Sequence, residues 1–248
     1  MSPIRTSLSL HDSEVLWPEM KSKEEVVNLK MTTLPEVWET TYQGSANSSL
    51  GSKIFDMDWF HSRYTPARPS GAVGRWISID TGLTDTENAA YSSAVVGDLM
   101  PDYSLRIVYC WAEKLQFPGL VDKIISIARE FNDDKMLRGI IIENKSSGIS
   151  AIQSLQRSAE RWIVDALIAY NPKVSKETRW GESAIWCSLG CVHLPAPGVE
   201  IPWLYSLEND LRDAPDVTYK DRLDSFAQLI IFLSNLLSEG YRVRQGVQ

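Results

Sequence analysis

GIIIENKSSGIS, residues 139–150, sets three consecutive isoleucines against a carboxylate. An apolar run this short and this rich in β-branched residues reads as a strand covered on both faces, which calls for helices on either side of a sheet. Gly139 leads into the run and Glu143 closes it. Lys145, Ser146, Ser147 and Gly148 then form a turn, and a helical period follows from about residue 149. A buried strand that ends on a charge has two readings. Either the strand surfaces there, or it exists partly to hold that carboxylate in place.

Working outward, RWISID (75–80), AAYSSAVVGDL (89–99) and YSLRIVYCWAEKL (103–115) read as three strands joined by short loops, which suits an antiparallel meander. PGLVDKIISIAREFN (118–132) reads as an amphipathic helix with Pro118 at its start and Leu120, Ile124, Ile127, Ala128 and Phe131 on one face. Beyond the isoleucine strand come a helix over about 149–161, a weaker strand over 165–172, and a helix over 176–190 closed by Gly190. Two more helices follow at 201–213 and 219–238. The expectation is an α/β fold: a mixed five-stranded sheet, antiparallel on one side and parallel on the other, flanked by helices. Upstream, GSANSSLGS (44–52) and RPSGAVG (68–74) are breakers. Residues 1–70, with short helices over 21–31 and around 34–43, read as an arm, and 71–248 as the main domain.

With 248 residues, 44% hydrophobic and 23% charged, the chain can bury a sizeable core. Its apolar runs are far shorter than the roughly 20 residues that a membrane helix needs, and MSPIRTSLSLHDSE has no apolar stretch of a secretory signal. Three cysteines are too few for a disulfide framework and suit a reducing compartment. Cys187, Cys191 and His193 lack a fourth zinc ligand nearby and read as core residues. The net charge of −7 argues against wholesale coating of nucleic acid. The charge is uneven, however. Residues 138–180 hold seven Lys/Arg against four acids, and residues 200–224 hold seven acids against three bases. A basic face beside an acidic cluster suits a metal-dependent enzyme acting on a polyanion, and surface variation is the plainer alternative.

The acids fall at the ends of elements. Asp80 closes the first strand, Glu143 closes the isoleucine strand, and Asp221 and Asp224 sit in the first turn of the last helix. In an open α/β sheet, sites form at strand ends where the topology reverses. If the first and fourth strands are neighbours, Asp80 and Glu143 come side by side, and the last helix can bring Asp221 to the same edge. Crowded carboxylates repel. Hard oxygen donors attract Mg²⁺ or Mn²⁺, and two such ions can activate water for phosphodiester cleavage. Read singly, Asp80 is also a turn residue, Glu143 a surfacing strand end, Asp221 a helix cap and Asp224 an acid favoured by the helix dipole.

IIIENKSSGISAIQSL (140–155) resembles a segment of the large terminase subunits of tailed bacteriophages: apolar strand, Glu, a Lys/Ser/Gly turn, helix. SKETRWGESAIWCSLGCVHLP (175–195) is similar to that family's Lys-x-x-Arg helix and Gly-x-Val-x-x-Pro strand, and PWLYSLENDLRDAPDVTYKDRLDSFAQLI (202–230) to its closing stretch. LWPEMKSKEEVVNLK (16–30), VWETTYQGSANSS (37–49) and KIFDMDWF (53–60) resemble the linker between the terminase motor and its nuclease.

The resemblance implies a ribonuclease H-like nuclease with metal-binding acids at Asp80, Glu143 and Asp221, and Asp224 as a helper. It implies two Mg²⁺ or Mn²⁺ ions and endonucleolytic cutting of double-stranded DNA during viral genome packaging. The implied partners are an ATPase motor domain, a small terminase subunit and a portal, in the cytoplasm of an infected host cell and away from any membrane. Lys145, Lys176 and Arg179 are the expected phosphate contacts, or else a solvated helix face.

Some residues depart from the family pattern. Its Asp-Asp pair reads Lys220-Asp221, and the acid before the second strand must be Asp85 or Glu87 or be missing. No G-x-x-x-x-G-K-[ST] occurs, so the chain resembles the nuclease half with its linker. Alternatives are another ribonuclease H-like nuclease, such as a junction resolvase or integrase, and a non-enzymatic docking module of the packaging machine.

Overall fold

The computed structural model describes residues 10–11, 14–15, 53–67, 70–82, 91–197 and 201–245. The helices expected at 21–31 and 34–43, the loop at 44–52, and Asp85 and Glu87 lie outside the described residues. The chain forms two compact units, Met1–Ile54 and Phe55–Gln248. In the first, β1 (Leu10–His11) and β2 (Glu14–Val15) pair antiparallel. In the second, Phe55 and Phe60 are fully buried, so the body starts ahead of the breaker at 68–74.

The second unit is built on a mixed six-stranded sheet. Its strands are β3 (Gly74–Asp80), β4 (Ser92–Leu99), β5 (Leu105–Glu113), β6 (Leu137–Glu143), β7 (Leu167–Tyr170) and β8 (Val192–His193). The spatial order is β7-β6-β3-β4-β5-β8. The pairs β3–β4 and β4–β5 are antiparallel, as the meander predicts, and β3–β6, β6–β7 and β5–β8 are parallel. The expectation of five strands misses β8, which consists of only two residues paired with Leu105 and Arg106. A stretch that short carries no alternation to read.

The helices are α1 (Phe117–Glu130), α2 (Ser146–Ser158), α3 (Arg161–Ala166), α4 (Lys176–Ser188), α5 (Pro202–Asp213) and α6 (Asp221–Gln245). The six-residue α3 occupies the start of the segment expected as strand, and β7 begins only at Leu167. Gly190, at φ +70°, follows the end of α4 and donates its N–H back to the Cys187 carbonyl.

Alternation along the strands sorts residues between two layers. Ile77, Ile79, Ala94, Val96, Ile140 and Ile142 form one cluster with Leu120 and Ile124 of α1, Ala151 and Leu155 of α2, and Ile163 of α3. On the other face, Ser78 meets Gln228 of α6. Phe226, Leu229 and Ile230 of that helix are fully buried. Ile140, Ile141 and Ile142 are all 0% exposed, which confirms a strand covered from both sides. The cysteines are free, and burial raises Cys110 to about 12 and Cys187 well above its ordinary value. His193 is 2.9 Å from the Ser62 carbonyl through Nδ1.

At the far end of the sheet from Asp80, Arg75 donates Nη2 to Asp98 Oδ2 at 2.9 Å and Nε to Oδ1 at 2.5 Å, with Asp98 fully buried. Breaking one side of such a pair strands a buried charge. Arg75→Met is expected to cost about 3–5 kcal/mol in urea unfolding, while the double variant Arg75→Met/Asp98→Leu recovers most of it.

Candidate active site

Three elements end at one edge of the sheet. Ile79 of β3 pairs with Ile142 of β6, so the next residues, Asp80 and Glu143, end their strands side by side. Asp80 faces Ser93 of β4 across the antiparallel ladder. By alternation, Asp80, Ser93 and Glu143 share the face that carries α6.

The N-terminus of α6 is tied to this edge by hydroxyls. Ser225 Oγ accepts the Asp80 N–H at 3.1 Å, and Ser93 Oγ lies 2.5 Å from Ser225 Oγ. Ser93 Oγ also donates to the Asp221 carbonyl at 2.7 Å. One turn further along, the buried Gln228 donates Nε2 to Ser78 Oγ at 3.0 Å, to the Ile79 carbonyl at 3.2 Å and to the Ile141 carbonyl at 3.4 Å. Asp221, Asp224, Ser225 and Gln228 follow helical spacing and so lie on one face.

On the other side of Glu143 the chain turns into α2 within three residues, earlier than the expected start near 149. Ser146 takes φ +34° in this turn. A Cβ on Gly148 would lie 1.8 Å from the Glu143 carbonyl oxygen, so only glycine lets the helix start there. Ser147 Oγ and Thr81 Oγ1, 2.8 Å apart, link the turn to the residue after Asp80.

The carboxylates are crowded. Burial raises Asp80 above its ordinary value, and the charges of Asp224 and Glu143 add to the rise against the pull of Lys176. Burial also raises Asp224, and burial with the Asp80 charge raises Asp221. Three cations answer four acids. Lys176 Nζ is 2.5 Å from Asp224 Oδ2 and 3.4 Å from Asp80 Oδ2. Glu143 pairs with Lys145 at 2.9 Å and with Arg179 Nη1 at 3.4 Å. Among the described residues, Asp221 forms no ion pair, which leaves one negative charge in excess. Asp224, 2% exposed, also accepts from Trp180 Nε1 at 3.0 Å.

Asp80, Glu143, Asp221, Asp224, Lys145, Lys176 and Arg179 all reach this edge, while Asp85 and Glu87 lie outside the described residues. Asp224, expected as a helper, is 2% exposed and holds two donors, Lys176 and Trp180. Ser93, Ser225, Gln228 and Trp180 escape sequence reasoning. Their polar groups in otherwise apolar stretches, SSAVV and SFAQLI, are the signal that could have exposed them.

The donor set fits a hard divalent cation in chemistry and charge. All four acids are oxygen donors, their charges exceed those of the paired cations by one, and the Lys176 ammonium already fills a cation's place between two of them. Around that ammonium the acids stand apart: among the described residues no three His, Cys, Asp or Glu side chains converge closely enough to hold a metal as arranged. Arg179 Nε is buried without a hydrogen-bond partner.

No family model and no curated protein matches the sequence. Solved structures do match the fold. The large terminase of a thermophilic bacteriophage, in complex with ADP, aligns with a TM-score of 0.57 at 12% identity, over 86% of this chain and 52% of that one. A second crystal structure of the same terminase aligns with a TM-score of 0.55 at 12% identity, over 84% of this chain and 52% of that one. The large terminase nuclease of another thermophilic phage, G20c, with bound zinc is 18% identical, with a TM-score of 0.48 over 70% of this chain and 95% of that one. The chain thus spans about half the length of the first of these terminases. The fold, a mixed sheet flanked by helices, is thus shared with these large terminases, as the resemblance implied.

Gly148→Ala is expected to lower stability by about 1–3 kcal/mol, because the Glu143 carbonyl must move. Gly119→Ala, in α1 with no atom nearer than 3.8 Å, should instead gain up to about 1 kcal/mol. Thermal unfolding followed by circular dichroism compares the two.

Proposed function

We propose that the chain is a metal-dependent endonuclease that cuts double-stranded DNA during viral genome packaging. The observation that carries this reading is the meeting of Asp80, Glu143, Asp221 and Asp224 at one sheet edge, with basic side chains interleaved among them. Structural neighbours that are large terminases support the packaging context. Asp80, central to the cluster, would hold both of two Mg²⁺ or Mn²⁺ ions. Glu143 would complete one coordination set, and Asp221 with Asp224 the other. When bound, such ions lower the pKa of water and neutralise charge on the leaving oxygen.

The chain's own residues do the rest. The Ser93–Ser225 contact and Gln228 hold the strand ends and α6 in register, so the acids are positioned before substrate arrives. Lys145, Lys176 and Arg179 contact the phosphates that flank the scissile bond, as charge-assisted donors. Among the described residues no base-reading element stands at this edge, so cutting follows backbone geometry rather than sequence. The residues ahead of this unit would link it to an ATPase motor, with a small terminase subunit and a portal as further partners in the host cytoplasm.

Supercoiled plasmid incubated with Mn²⁺ or Mg²⁺ is expected to be nicked and linearised. Chelator should abolish cutting, and Asp80→Asn should lower it by about 10³-fold or more. An intact plasmid with folded wild-type protein and both metals would sink the reading in favour of a docking module. Strict preference for four-way junctions would favour a resolvase.

A further inference from the structure

We propose that Lys176 is the resident counter-ion of this edge: its ammonium holds Asp80 and Asp224 together in the metal-free protein and must leave them before a divalent cation binds. The inference rests on the metal-dependent reading above and adds a residue that opposes metal entry.

Lys176 Nζ spans the two aspartates, at 2.5 Å from Asp224 and 3.4 Å from Asp80. Neither aspartate forms an ion pair with another cation among the described residues, although the Arg179 charge also acts on Asp224. The second oxygen of Asp224 is occupied by Trp180 Nε1, which stands four residues on from Lys176 in the same helix. A metal that binds Asp224 through Oδ2 therefore competes directly with the ammonium, and one that binds through Oδ1 must share that oxygen with Trp180.

The two basic residues of α4 differ in their freedom to leave. Arg179 is 3% exposed, so parting it from Glu143 means moving the helix. Lys176 is 46% exposed at the first residue of α4, and its four-carbon stem can swing the ammonium into solvent with the helix fixed. Helix α4 thus brings one fixed cation and one that can depart. The departing one is also the residue assigned above to a phosphate. Metal entry releases it for that contact, so the same charge serves first the acids and then the DNA.

Two effects follow. Removing the ammonium leaves buried aspartates without compensation, so the metal-free protein loses stability. It also removes a competitor, so metal binds more tightly. A merely structural lysine gives the first effect without the second.

The test is calorimetric titration of Mn²⁺ into the full chain, with thermal unfolding in chelator and in Mn²⁺. The variants are Lys176→Met, Lys176→Arg, Lys145→Met and Asp80→Asn. Lys176→Met is expected to melt lower than wild type in chelator, to bind Mn²⁺ about tenfold more tightly, and to regain its melting temperature in Mn²⁺. Lys176→Arg should stay close to wild type in chelator. Lys145→Met, which removes a charge from Glu143 alone, should change Mn²⁺ affinity by less than about threefold.

Equal or weaker Mn²⁺ binding by Lys176→Met overturns the proposal, as does an equal gain in Lys145→Met. If wild type binds Mn²⁺ and Asp80→Asn does not, that failure leaves the metal-dependent reading standing. If wild type binds no Mn²⁺, both fall. Should Lys176→Met not fold, wild-type protein decides through lysine acylation read by peptide mass spectrometry. Relative to Lys114 and Lys123, Lys176 should react several-fold faster in Mn²⁺ than in chelator, and an unchanged rate overturns the proposal.

Discussion

Carboxylates that share a buried edge repel one another, and the rest of this structure answers that repulsion. Water would screen them, but β3, β6 and α6 remove it, and burial raises Asp80, Asp221 and Asp224 alike. Two devices compensate. The N-terminus of α6 directs its partial positive charge at the acids of its own first turn. And α4 presents Lys176, Arg179 and Trp180 from successive positions of one helical face. Helix α4 is thus the electrostatic complement of the strand ends rather than a passive cover.

The layers explain how such an edge can exist at all. Sheet strands bury their apolar residues by alternation, and this sheet is covered on both sides. The isoleucines of β6 fill both layers, which anchors the strand over its whole length and leaves Glu143 at the point where backbone pairing stops. The question raised by GIIIEN has a physical answer: the strand surfaces at the carboxylate, and the edge where it surfaces is built of two strands that end on acids and a helix that begins on one.

Much of this is legible in the sequence because it rests on local pattern. The meander, the amphipathic α1 and the isoleucine strand each carry a strong period, and acids at their ends stand out against apolar runs. The pairing of β3 with β6 follows from the parallel crossover through α1. What stays hidden has no period to reveal it. Strand β8 has two residues, α3 has one and a half turns, and the early start of α2 depends on what the missing Cβ of Gly148 avoids. Gln228 is equally silent, since a glutamine in SFAQLI looks like a solvent position until the sheet covers it.

That glutamine has a consequence for strand order. Its single amide donates to carbonyls of β3 and β6 at once. These are the two strands that carry Asp80 and Glu143. A slip of one residue between them would exchange the faces of the sheet and turn one acid towards the apolar layer under α1 and α2. Residues 141 and 79 can satisfy one amide together only in the native alignment. The side chain therefore acts as a gauge: it fits when both acids point the same way and is left with buried, unmet hydrogens when they do not.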